Sequence, residues 1–197
     1  AVKKRSSAPV VYLCHNVLPH DRSRLDRVLA RWGLAAADAF LVQSKEDMAR
    51  MEEVVPKAVV RVHPHPMYTQ FATRSMTRAQ ARERLDVQGR VLLFFGLVRA
   101  YKGLSNLLRA FARVSERLSA TLFVVGEFYE DRKPYDELIA SLGIGDRVRV
   151  VDRYVPDDEV AMYFCAADLV VLPYESATQS GIVQTAFAFE RDRKSTR

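Results

Sequence analysis

The sequence predicts an α/β protein built on doubly wound parallel sheets. Short apolar, β-rich runs alternate with single stretches of helical period along most of its 197 residues. Strands separated by single helices cannot pair as hairpins. They need right-handed crossovers and a parallel sheet covered on both faces. The run Leu92–Phe111 (LLFFGLVRAYKGLSNLLRAF) shows the repeating unit most clearly: a buried strand, a short turn and an amphipathic helix.

Val10–His15 (VVYLCH) is the first β-rich run, followed by a helical stripe over Asp21–Ala37 with Leu25, Val28, Leu29 and Trp32 as its apolar positions. Ala39–Gln43 and Val59–Val62 read as strands, with a helix at Lys45–Val54 between them. His63-Pro-His-Pro66 then stops regular structure, because proline lacks a donor and restricts the residue before it. Periodicity is lost from Met67 to Thr77, which reads as a link. Beyond it a helix at Thr77–Leu85 leads to strand Val91–Leu97. Helix Leu104–Leu118 follows, with Leu104, Leu107, Leu108, Phe111, Val114 and Leu118 on one face. Strand Thr121–Val125, helix Pro134–Leu142, strand Val148–Asp152, helix Asp157–Ala166, strand Leu169–Pro173 and a helix from Gly181 complete the alternation.

The division this predicts is a partial first domain over 1–70, a link and leading helix over 71–90, a second domain over 91–190, and a tail over 191–197. The first segment supplies too few strands for a complete domain of this type, which usually takes ~100–150 residues. The tail has no apolar residue to dock. Asp192–Arg197 also matches, residue for residue, one reading frame of a widely used sequencing adapter (GAT CGG AAG AGC ACA CGT). The expectation is a non-native or disordered tail on a truncated chain.

A net charge of +6 and a pI near 9.5 favour anionic partners. Cys14 and Cys165 lie far apart without a metal-binding pattern, which points to free thiols in a reducing, cytoplasmic compartment. The longest apolar runs are too short to span a bilayer. Arg22, Arg24, Arg27 and Arg31 on the first helix read chiefly as a solvated face, with peripheral contact at the inner face of a membrane as the alternative.

The chemistry concentrates at Gly96-x-x-Arg99-x-x-Lys102-Gly103, between a strand and a helix. Glycines let the backbone approach a ligand, a helix N-terminus offers N–H groups, and Arg and Lys neutralise charge; together they suit a diphosphate. No Walker pattern occurs. His15 closes the first strand beside Asn16, where a neutral imidazole can hydrogen-bond a hydroxyl. Glu175, Thr178, Gln179, Ser180, Gly181, Gln184 and Thr185 follow the last clear strand and open a helix, a segment suited to phosphate or sugar hydroxyls. Asp157-Asp158-Glu159 is explained by capping and the helix dipole rather than by a metal.

The order of these motifs over most of Val10–Glu190 resembles the retaining glycosyltransferases of the GT-B fold, the large group often called family 4. The resemblance implies two Rossmann-like domains, the first incomplete here. It also implies a nucleoside-diphosphate-sugar donor held mainly by the second domain, and a glycan or lipid-linked acceptor held mainly by the first. It assigns the donor's diphosphate to Arg99 and Lys102, with Gly96 and Gly103 beside it, and turns His15 toward the donor sugar. No metal or cofactor is implied, since the nucleotide-sugar is a substrate, and no nucleic-acid partner is implied. The family's usual pair of glutamates is not reproduced. Thr185 stands where the second is expected and Glu175 is off the standard spacing for the first, so ribose recognition falls to Gln184 or Thr185. The expected activity is sugar transfer with retention in polysaccharide or glycolipid biosynthesis, the truncated chain being inactive by itself. The rival readings are a nucleotide-sugar epimerase of the same fold and a non-catalytic nucleotide-sugar-binding module.

Overall fold

The structure is a computed structural model. It describes residues 8–17, 24–72, 76–175, 180–189 and 192–195, so Thr178 and Gln179 lie outside the described residues. The chain divides into two compact units, 1–66 and 67–197.

In the first unit β1 (Val11–Cys14), β2 (Ala39–Val42) and β3 (Val60–Val62) form a parallel sheet in sequential order. They are joined through α1 (Arg24–Leu34) and α2 (Lys45–Val54). The register places Tyr12 beside Phe40 and Cys14 beside Val42. With a period of two, those side chains share one face, where Met51, Val54, Ala30 and Leu34 of the helices pack on them. The opposite face carries Val11 and Leu13, both 55% exposed. Ser44 caps α2 by accepting the N–H of Asp47, whose carboxylate in turn takes the Ser44 hydroxyl at 2.7 Å.

The second unit holds β4 (Arg90–Phe95), β5 (Ala120–Val125), β6 (Val148–Val151), β7 (Leu169–Leu172) and β8 (Asp192–Ser195). All run parallel, in the order β6-β5-β4-β7-β8. Alternate residues point to opposite faces, and each face has its own core. Phe94, Leu122 and Val124 pack on Leu104, Leu107, Leu108 and Phe111 of α5 (Leu104–Ser115) and on Tyr135 of α6 (Lys133–Ser141). Leu93, Phe123 and Val125 pack on Phe164 of α7 (Asp157–Ala166), Ala186 of α8 (Gly181–Ala188) and Ala81 of α4 (Arg78–Arg84). This is the doubly wound arrangement the alternation predicts.

Four differences from the sequence reading have local causes. The link is shorter than expected. The second unit begins at Met67, a short helix α3 (Thr69–Ala72) packs Phe71 on its core, and α4 is docked by Arg82, which bonds the carbonyl of Ala166 at 3.1 Å. Secondly, α5 ends at Ser115, short of Leu118 (54% exposed), and Val114 in its last turn is 40% exposed, so neither extends the buried stripe. A one-turn 3-10 helix, Ala100–Lys102, interrupts the turn before α5. Finally, within 191–197, expected to be a non-native or disordered tail, Asp192–Ser195 runs as β8 beside β7. Main-chain pairing at an open sheet edge asks little of the side chains that occupy it.

Candidate functional site

In a doubly wound sheet the ligand crevice opens at the carboxyl ends of two neighbouring strands whose crossovers leave to opposite faces. Here that pair is β4 and β7. The segment after β4 leads into α5 on one face, and the segment after β7 leads into α8 on the other. Strand order therefore brings Gly96–Gly103 together with Pro173–Glu175 and Ser180–Gly181, although about 70 residues separate them in sequence.

The two segments meet closely. Gly103 has φ +70, and a Cβ there would stand 2.0 Å from the carbonyl oxygen of Pro173. The amide of Glu175 donates to the carbonyl of Tyr101 at 2.9 Å. The Glu175 carboxylate accepts from Asn106 Nδ2, on the first turn of α5, at 3.1 Å. Over Gly96 the absence of a side chain leaves room for Lys102 Nζ and for Ile182 of α8, 3.5 and 3.3 Å from where a Cβ would be. The Tyr174 ring faces Lys102 Nζ at 5.8 Å, and its hydroxyl pairs with Ser180 Oγ at 3.3 Å.

Arg99 and Lys102 are a like-charged pair. Burial, and then the neighbouring Arg99 guanidinium, push the Lys102 ammonium down to about 8. Arg99 stacks on the Tyr129 ring at 3.9 Å, and its Nε is buried without an acceptor. Among the described residues neither cation has a carboxylate partner within ion-pair distance. Two helices also begin here. Among the described residues neither Gly103, before α5, nor Ser180, before α8, caps its helix through a side chain, so the first-turn N–H groups of both helices lack that partner. Partly buried cations held near each other, between two helix N-termini without a capping side chain, are an arrangement that suits a multiply charged anion.

The predicted residues separate accordingly. Gly96, Arg99, Lys102, Gly103, Glu175, Ser180 and Gly181 gather at the β4–β7 crevice. Gln184 follows on α8 and is half-buried. Thr185 also lies on α8, 4% exposed, and its hydroxyl donates to the carbonyl of Gly181 at 3.0 Å, an intrahelical bond. His15 belongs to the first unit, just past β1, with Nδ1 2.9 Å from Gln43 Oε1. Sequence reasoning passed over Asn106, Tyr129 and Tyr174. Only the Tyr174 position, beside Glu175, carried any local signal. Among the described residues no cluster of three His, Cys, Asp or Glu is positioned to hold a metal, and no helix is long and apolar enough to cross a membrane.

Residues 89–191, just over half of the chain, match the family model for glycosyl transferases group 1. The chain is 34% identical over 157 residues to D-inositol 3-phosphate glycosyltransferase 1 of Catenulispora acidiphila, covering 74% of this chain and 37% of that protein. It is 31% identical over 193 residues to the GDP-mannose:glycolipid 4-beta-D-mannosyltransferase of Xanthomonas campestris pv. campestris, covering 94% of this chain and 49% of that protein. The chain thus spans less than half the length of these curated relatives. Sucrose-phosphate synthase from Thermosynechococcus elongatus superposes with a TM-score of 0.81 at 19% identity, over 98% of this chain and 51% of that one. Anabaena HepE in complex with UDP and glucose gives 0.80 at 20% identity, over 95% and 52%. At such identities the likeness concerns the fold alone, which is α/β of the GT-B type. The family match and the parallel, doubly wound sheet agree: the chain belongs to the group 1 glycosyltransferases.

Proposed function

We propose that the second unit binds the donor of a glycosyltransferase that moves a sugar from a nucleoside-diphosphate-sugar to an acceptor hydroxyl with retention of anomeric configuration. The observation that carries this reading is the Arg99–Lys102 pair, two cations without carboxylate partners among the described residues, set between helix N-termini without a capping side chain where β4 and β7 diverge. Cleavage of the sugar–phosphate bond leaves negative charge on the departing diphosphate. Fixed cations and N–H dipoles stabilise that charge more than the ground state, which is what lowers the barrier. Glu175, fixed by Asn106 and by the carbonyl of Tyr101, stands beside the diphosphate cradle as the sugar contact, and Gln184 reaches for the ribose. His15 of the first unit is assigned to the donor sugar by the family resemblance alone. A nucleotide-sugar in this role is a substrate, and no separate cofactor is required. The acceptor is a glycan or lipid-linked hydroxyl. The name of one relative, a glycolipid mannosyltransferase, supports that class.

Calorimetric titration of the chain with UDP and with GDP tests the core of the reading. Wild type binds one of the two, and Arg99→Ala or Lys102→Ala weakens binding at least about tenfold, the scale of one charge-assisted contact. Unchanged affinity in both variants would remove the proposed diphosphate site. Retention is read from the anomeric proton of the product by NMR.

A further inference from the structure

We propose that Tyr129 is a positioning residue of this site, holding Arg99 so that its charge stays available to the diphosphate. The proposal rests on the donor-site reading above. Arg99 has no hydrogen bond or ion pair among the described residues, and its Nε is buried without an acceptor. What holds the guanidinium is the Tyr129 ring, 3.9 Å from its carbon, close enough for face-on contact. An arginine otherwise loses much rotamer freedom when a ligand orders it, and stacking removes part of that cost beforehand.

Tyr129 is itself well placed to do this. The loop after β5 is laced to the turn after β4. Val98 N–H donates to the Glu127 carbonyl at 2.9 Å, Tyr129 N–H donates to the Val98 carbonyl at 3.1 Å, and Val98 and Phe128 form a parallel bridge. Phe128 N–H is held by the Asp152 carboxylate at 3.0 Å. The ring and the guanidinium are thus carried by two strand ends locked in register. Tyr129 is 69% exposed, so core packing does not account for an aromatic residue there.

Two acids of this loop, Glu130 and Asp131, and Asp152 after β6 have partners of their own. Glu130 accepts the Tyr135 hydroxyl, Asp131 accepts the Lys133 N–H, and Asp152 also faces Arg132. A carboxylate on Arg99 would fix it equally well but would neutralise it and compete with the incoming diphosphate. An aromatic face fixes the cation and leaves its charge.

The test uses the 197-residue chain with Tyr129→Phe, Tyr129→Leu and Arg99→Lys, each checked for unchanged thermal unfolding. Without ligand, the Arg99 Nε–H proton, assigned through Arg99→Lys, is expected upfield under the ring current in wild type and Tyr129→Phe. It should return to the position of an unstacked arginine in Tyr129→Leu. UDP or GDP affinity is expected to hold in Tyr129→Phe and to fall about tenfold in Tyr129→Leu. Binding that Arg99→Ala abolishes but Tyr129→Leu leaves at the wild-type level would overturn the Tyr129 role alone. Absence of UDP and GDP binding by wild type would overturn the donor-site reading and this proposal with it. An Arg99 Nε–H signal identical in all Tyr129 variants would overturn the stacking itself.

Discussion

Gly103→Ala should cost the second unit both stability and ligand affinity, and the structure separates the two contributions to stability. Gly103 has φ +70 and Gly143, at the end of α6, has φ +64. Alanine at either position bears the left-handed penalty of about 1 kcal/mol. At Gly143 an added Cβ meets nothing within 4 Å. At Gly103 it falls 2.0 Å from the Pro173 carbonyl oxygen, where contacts under 3.0 Å essentially never occur. Because the obstacle is backbone, the β4–α5 turn or the β7–α8 segment must move, at a further cost of about 1–3 kcal/mol. The assay is urea unfolding of both variants followed by far-UV circular dichroism. The expected result is a Gly143→Ala loss of about 1 kcal/mol and a Gly103→Ala loss of about 2–4 kcal/mol. Weaker UDP or GDP binding should appear in Gly103→Ala only. Losses within about 0.5 kcal/mol of each other would refute the close approach of the two segments.

Lys102 sets a pH dependence. Its folded value of about 8 lies below that of an ordinary lysine, so the unfolded state holds more protons between the two values and stability should rise with pH from about 8 upward. Diphosphate affinity moves the other way. It is full while Lys102 is charged and declines as pH rises through about 8, by up to about tenfold per pH unit. Calorimetry from neutral to alkaline pH should show this slope in wild type and lose it in Lys102→Met. Asp168 ties the leading helix to the sheet, accepting from Arg78, from Arg82 at 2.6 Å and from the Val91 N–H at 2.7 Å. Asp168→Ala should therefore lower the unfolding free energy of the second unit by ~3 kcal/mol in the same urea assay. Thr185→Val removes only an intrahelical bond, so UDP or GDP affinity should stay within about twofold of wild type. A larger loss by calorimetry would make Thr185 a ligand contact.

Much of the fold was legible because it rests on local pattern. The strand–helix alternation survives with boundaries shifted by a few residues, and α2 and α7 fall at their expected limits. The short helix α3 was missed, since four residues carry no period. The reach of α5 was overestimated because helical spacing continues in sequence beyond Ser115, where the regular helix ends. Gly96, Arg99, Lys102 and Gly103 could be read as an anion grip from composition and spacing alone, because all four lie in one turn.

The alternation of strands with single helices, the parallel sheets it requires and the turn that gathers two cations between glycines all follow from linear pattern. Only the tertiary structure decided what stands around that turn. The order β6-β5-β4-β7-β8 sets Pro173 and Glu175 against Gly103 and Tyr101. The lacing of two loops lays Tyr129 on Arg99, and the phase of α8 buries Thr185 while leaving Gln184 half-exposed. These are contacts between residues far apart in the chain. They follow from strand order and helix rotation, which hydrophobic periodicity does not encode.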